Sequence, residues 1–158
     1  MSRPARLSGF SYVGVFRYSL TFCTRERVQA FVDSHVVAST LEQIRETALE
    51  KRFALLVYCL MPDHAHLLVE GLADTSDLRE FAKLAKQRSG AQYGIQIGGR
   101  LWQEGYYDHV LRDDEDARQV ARYILENPVR AGLVSTLFQY PHLGSDVWTL
   151  NELIESVM

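Results

Sequence analysis

The sequence predicts an α+β fold. It is an antiparallel sheet of the split βαβ (ferredoxin-like) type, with helices on one face and one helix added on the C-terminal side. Three observations predict it. β-forming and helical periods alternate in the order strand, helix, strand, strand, helix, strand, helix. The middle two strands are separated only by the short turn Met61-Pro62-Asp63, so they pair as a hairpin. The last helical period follows the fourth strand and so lies outside the six-element unit, free to cross the sheet.

The elements follow in chain order. Residues 12–23 are rich in β-formers and predict the first strand. Val28, Phe31, Val32, His35 and Val36 then recur at helical spacing toward Leu49, which puts His35 on an apolar stripe as a core histidine. Residues 53–60 form a continuous apolar strand, and His64 to Val69 is its return, ended near Gly71. Thr75-Ser76-Asp77 supplies N-cap residues for a second helix with Leu78, Phe81, Ala82 and Ala85 on one side. Glycines predict a loop over 90–99, and residues 101–111 predict a fourth strand. Asp113 to Asp116 suits a helix N-terminus, where carboxylates meet the positive end of the dipole. That helix is expected to run to Asn127 and stop at Pro128. At 158 residues the chain is expected to be a single domain. Its core spans about 10–140, and 141–158 is a weakly patterned tail with a short helix at its end.

Bulk properties narrow the function. No apolar run approaches the ~18 residues of a membrane helix. The first residues, Met1-Ser2-Arg3-Pro4-Ala5-Arg6, lack a secretory apolar stretch, so a cytoplasmic location is expected. Cys23 and Cys59 form no CxxC pair, which argues against a zinc knuckle or a disulfide framework. The formal net charge is −3, which alone argues mildly against a nucleic-acid binder. The acidity is concentrated beyond residue 110, which leaves room for local basic faces.

Chemistry concentrates in His64-Ala65-His66. Side chains alternate along a strand, so the two imidazoles share a face and can chelate a divalent metal, while Ala65 points away. In the last helix, Ala117, Val120, Ala121, Ile124 and Leu125 make an apolar stripe. At ~100° per residue, Tyr123 and Asn127 fall roughly 120° and 80° from its centre, on one flank as i and i+4 neighbours. Tyr123 offers a phenol. Asn127 offers a neutral carbonyl oxygen suited to Mg²⁺ or Mn²⁺ beside two histidines. Two other metal or nucleotide folds fit poorly. The His64-x-His66-x₃-Glu70 spacing is half of a cupin signature, but Tyr58 and Asp77 stand where that signature needs glycine. A histidine-triad site needs a third alternating histidine, and that position is Leu68.

Three stretches together resemble the His-hydrophobe-His single-tyrosine (IS200-like) transposases, above all the REP-associated tyrosine transposases. They are Tyr58 to Leu68 (YCLMPDHAHLL), Leu101 to Arg112 (LWQEGYYDHVLR) and Tyr123 to Val134 (YILENPVRAGLV). The resemblance implies His64, His66 and Asn127 as metal ligands and Tyr123 as the nucleophile, which makes the added helix catalytic. It implies a metal-dependent transesterase that cleaves and rejoins single-stranded or hairpin DNA through a 5′-phosphotyrosine. Such an enzyme is expected at the nucleoid when bound to DNA. A domesticated hairpin-binding protein or repressor that does not cut is the alternative. Relatives include dimers that supply tyrosine in trans and monomers that supply it in cis, so a monomer or homodimer is expected. The short Arg112–Asp114 linker favours cis.

For holding DNA, Arg79, Lys83 and Lys86 fall on one helix face, and Arg88 and Arg100 flank the predicted loop. Arg112 ends the second matched stretch, and Arg3 and Arg6 extend as an arm. Tyr93, Trp102, Tyr106 and Tyr107 supply rings among these charges, a pattern suited to single strands. Trp102 is expected to be a packing anchor. Asp108 and His109 lie near the matched stretch, and His142 is expected to have no role.

Overall fold

The computed structural model describes residues 10–158. Arg3 and Arg6 lie outside the described residues. Five strands form one antiparallel sheet in the order β4-β1-β3-β2-β5. The strands are β1 (Arg17–Cys23), β2 (Phe53–Met61), β3 (His64–Gly71), β4 (Tyr107–Leu111) and β5 (Leu143–Gly144). The helices are α1 (Ser34–Lys51), α2 (Leu78–Gln96), α3 (Asp114–Arg130) and α4 (Leu150–Val157). The expected α+β, split βαβ architecture is present. Among the described residues no helix is long and apolar enough to cross a membrane.

Strand alternation divides the core in two. Tyr18, Leu20 and Phe22 of β1 and Ala65, Leu67 and Val69 of β3 face one way, against α1 and α2. Leu68 of β3 and Val57, Cys59 and Met61 of β2 face the other way, against α3 and α4. A register shift between Leu55 and Val57 is what changes the parity of β2: Phe53 and Leu55 serve the first core, Val57 and Cys59 the second. His64 and His66 share the parity of Leu68 and so lie on the α3 face. Helix α3 runs across this face. Its N-terminus is tied by Asp114 to Arg17 at 2.8 Å, and its C-terminal end reaches the His64 end of β3.

Several expected boundaries move. The first helix begins at Ser34, not near Val28, because Glu26 and Arg27 take positive φ (+56° each) in an irregular connection. Asp33 then caps α1 through the amide of His35 at 2.9 Å. His35 is exposed in this first turn, so it is not a core histidine. The predicted loop over 90–99 is helical through Gln96. Buried Tyr93 anchors that stretch, and the break comes only at Gly98 and Gly99, both with positive φ. The predicted strand over 101–111 is two pieces. Trp102 bridges to Thr24, Gly105 turns at φ +79°, and β4 starts at Tyr107. Pro128 does not stop α3, which continues to Arg130. A proline this close to the end removes one amide bond and leaves few turns to disrupt, and its own ring is buried. The tail adds an edge strand, β5 on β2, before α4. Arg122 holds the end of α4, donating to the Val157 carbonyl at 2.8 and 2.6 Å.

Candidate active site

The hairpin β2–β3 places both histidines at the mouth of the sheet. Met61 pairs with His64 across the two-residue turn Pro62-Asp63. The segment after β1 clamps that turn: Thr24 N donates to the Asp63 carbonyl and Phe31 N to the Pro62 carbonyl, each at 3.0 Å. The Nε2 atoms of His64 and His66 are 3.1 Å apart, and both point toward α3. Each Nδ1 has its own partner. Asp63 Oδ1 lies 2.7 Å from His64 Nδ1, and Thr21 Oγ1 lies 3.1 Å from His66 Nδ1. Asp63 is itself paired with Arg27, whose Nε lies 3.2 Å from Oδ2.

Helix α3 brings the other two groups. Asn127 Nδ2 is 3.5 Å from His64 Nε2. The Tyr123 ring lies 6.3 Å from the His66 ring, centroid to centroid, and meets it edge-on. Tyr123 is 57% exposed. The Arg130 guanidinium stacks 3.8 Å over the Tyr123 ring and donates to the Tyr123 carbonyl at 2.5 Å. Tyr123 and Asn127 of α3 thus meet His64 and His66 of β3 within the one chain.

Burial pushes His66 down to about 3, helped by the neighbouring His64, Arg130 and Arg27. His66 is therefore neutral at physiological pH, the form that can ligate a metal. Among the described residues no group of three or more His, Cys, Asp or Glu is placed to hold an ion. The donor set that converges is two imidazole nitrogens and the Asn127 amide. Its chemistry fits a divalent cation: neutral first ligands leave the ion's charge available to an anionic phosphodiester, and second partners already orient both rings.

The basic residues expected to meet DNA do not cluster at this site. Helix α2 lies on the opposite face of the sheet from His64 and His66. Lys86 donates to the carbonyls of Gln103 and Gly105, and Arg88 pairs with Glu50 of α1 at 2.7 Å. Both are occupied in packing the protein. Arg79 stacks over the Tyr12 ring at 5.0 Å while remaining exposed. Lys83, Arg100 and Arg112 are exposed. Trp102 is an anchor, donating to Ser89 Oγ at 2.9 Å and packing against Phe22 and Phe31. His109 is exposed on β4. Sequence reasoning missed Asp63, Thr21, Arg27 and Arg130. Asp63 precedes His64 directly, and Arg130 is seven residues from Tyr123 on the same helix face, so both had a signal. Thr21 meets His66 only through sheet register, and Arg27 reaches Asp63 from the irregular turn after β1.

The model of the IS200-like transposases matches residues 12–127, which spans the histidine pair, Tyr123 and Asn127. The chain belongs to this family. This IS200-like transposase is 23% identical over 137 residues to a Haemophilus influenzae protein assigned as a REP-associated tyrosine transposase, covering 79% of this chain and 77% of the relative. It is 29% identical over 126 residues to the ISDra2 transposase TnpA of Deinococcus radiodurans, covering 73% of this chain and 86% of the relative. Its fold matches the structure of a REP-associated tyrosine transposase bound to a REP hairpin. The TM-score is 0.76 at 20% identity, over 90% of this chain and 82% of that one.

Proposed function

We propose that this transposase cuts and rejoins single-stranded DNA with Tyr123 as the nucleophile, at hairpin-containing repeat elements. One observation carries the reading: Tyr123 and Asn127 of α3 converge on the imidazole pair of β3. The hairpin-bound structural relative supports the choice of substrate.

His64 and His66, through Nε2, and Asn127, through its carbonyl oxygen, would hold Mg²⁺ or Mn²⁺. The cation would supply Lewis-acid polarisation of the scissile phosphate. The Tyr123 oxygen forms a bond to phosphorus as the phosphorus–O3′ bond breaks. The phenol loses its proton and the departing 3′ oxygen gains one. The products are a 5′-phosphotyrosine and a free 3′-OH. Attack by the 3′-OH of another strand reverses the step and releases the phenol, so joining needs no ATP. A free phenol has a pKa near ~10, so activation is essential. Arg130 contributes by stacking on the ring and fixing it.

The test is a denaturing gel after incubation with a hairpin oligonucleotide carrying a single-stranded flank and Mn²⁺. The parent chain forms a slow-migrating protein–DNA species and Tyr123→Phe does not, while hairpin binding is kept. An equal yield of that species from Tyr123→Phe contradicts the reading. Binding with no cleavage by the parent chain supports the repressor alternative instead.

A further inference from the structure

A cleft lies beyond the His64 end of the sheet. Strand β1 ends at Cys23, which pairs with His64. Arg25 follows two residues on, at most about 7 Å further along the chain. Backbone contacts seal the segment after β1 to the stretch before β4. Thr24 bridges to Trp102. Arg25 N donates to the Leu101 carbonyl and Gln103 N to the Cys23 carbonyl, each at 2.9 Å. Two hollows of about 380 and 470 Å³ open along this seam and share Arg100 and Trp102 as walls. Helix α2 lines the inner hollow with Gly90, and Arg25 lines the outer one.

The walls carry the chemistry of a nucleotide site. Arg25 and Arg100 are exposed, and among the described residues neither guanidinium has an ion-pair or side-chain hydrogen-bond partner. Glu26 and Glu104 also line the outer hollow, so the two carboxylates stand against the cations Arg25, Arg100 and Lys86. Lys86 is already held by the carbonyls of Gln103 and Gly105, which leaves the two arginines to meet a phosphate. Trp102 is partly buried and fixed: its Nε1 donates to Ser89 Oγ at 2.9 Å, and Phe22 and Phe31 pack against the ring. A ring held in place loses little freedom when a base settles on it. Gly90 keeps the inner hollow open. Glycine is unfavourable inside a helix, and an added Cβ would stand 3.7 Å from Trp102 Cδ1, an ordinary contact, so packing alone does not require glycine here. Glu26 and Arg27 both sit at φ +56°, a conformation rare for residues with side chains. That turn sends Arg27 to Asp63, 3.2 Å from Oδ2, while Arg25 lines the cleft. Strain of this kind gathers at ligand sites.

We propose that this cleft holds an unpaired nucleotide of the DNA flank beside the cut site, its phosphate on Arg25 and Arg100 and its base against Trp102. The inference rests on the single-strand cutting reading above. The cleft continues from the histidine pair past the Asp63 turn, so a strand engaged at Tyr123 reaches it without crossing the sheet. A paired stem has its bases stacked and cannot seat one in the inner hollow, so the cleft selects the flank over the hairpin.

Trp148→Phe leaves Trp102 as the only tryptophan, so its emission reports on the cleft directly. In this background a hairpin oligonucleotide with an unpaired flank, on its 5′ or its 3′ side, should quench that emission, and a blunt hairpin should not. Anisotropy of the labelled flanked hairpin should show Arg25→Gln and Arg100→Gln each weakening binding about tenfold. Each should also lower the slope of log affinity against log salt by about 0.7, the value for one phosphate contact on a single strand. Arg25→Lys and Arg100→Lys should keep the slope. Gly90→Met fills the inner hollow and should lose the flank-dependent affinity and quench, with folding checked by its amide spectrum. Trp102 emission blind to the flank, parent-like slopes in Arg25→Gln and Arg100→Gln, or full flank affinity in Gly90→Met overturns the cleft, and adduct formation at Tyr123 then stands on its own. A parent chain that forms no adduct and binds flanked and blunt hairpins equally overturns the cutting reading and the cleft together.

Discussion

Asn127 reaches across from α3 to put its side-chain amide 3.5 Å from His64 Nε2 on β3. The sequence separation is 63 residues, and nothing in β3 itself dictates the meeting. It is set by α3 docking, with Ile124 and Leu125 buried in the second core and Asp114 held to Arg17 at the far end.

Asn127→Ala removes the side-chain amide that faces His64 Nε2. Mn²⁺ affinity, followed by electron paramagnetic resonance, is expected to fall by at least about tenfold, equivalent to ~1.4 kcal/mol. Asn127→Asp keeps an oxygen and should retain binding. Unchanged affinity in Asn127→Ala would remove the amide from the site.

Arg130 stacks on the ring it fixes, a contact worth ~0.5–1 kcal/mol at an exposed position. Arg130→Ala should slow adduct formation several-fold with hairpin affinity changed less than that. Arg130→Lys keeps the charge but not the flat stack, so it should recover part of the rate. Single-turnover kinetics separates the two effects. A loss confined to binding would assign Arg130 to DNA contact instead.

How much of this was legible in the sequence follows from what each element depends on. The histidine pair needed only strand alternation, and the Tyr123–Asn127 flank needed only helical spacing, so both were readable. The α2 extension through Gly90 and Gly94 was not, because tertiary burial of Tyr93 outweighed local glycine cost. Pro128 misled for a similar reason: its ring is buried in the docked helix end. The link of Thr21 to His66 required knowing that β1 lies beside β3 in a particular register. The placement of α2 and its cations on the far face could not be read from residue spacing at all.

Tyr18 is fully buried, and its hydroxyl has no hydrogen-bond partner among the described residues. Tyr18→Phe removes an unpaired polar atom, so unfolding stability is expected to hold or to rise by about 1 kcal/mol. A loss beyond that in urea unfolding would reveal a partner for this hydroxyl.

Burial also raises the Tyr18 phenol and the Cys59 thiol, each to about 12. Both groups release protons more readily when unfolded, from about 9 for a thiol and 10 for a phenol. Their contribution to stability is therefore intact below pH ~9 and lost as pH rises toward ~12. Urea unfolding across that window should show a decline that Cys59→Ala makes shallower. Identical slopes would mean that the thiol is not the group involved.

In the proposed reaction the α3 phenol, and no other tyrosine, takes the DNA phosphate. Tandem mass spectrometry of the nuclease-trimmed adduct measures it directly. The expected product is a nucleotide-bearing phosphotyrosine on the peptide containing Tyr123. The same modification on a peptide containing Tyr106 and Tyr107 instead, with Tyr123 unmodified, would contradict it.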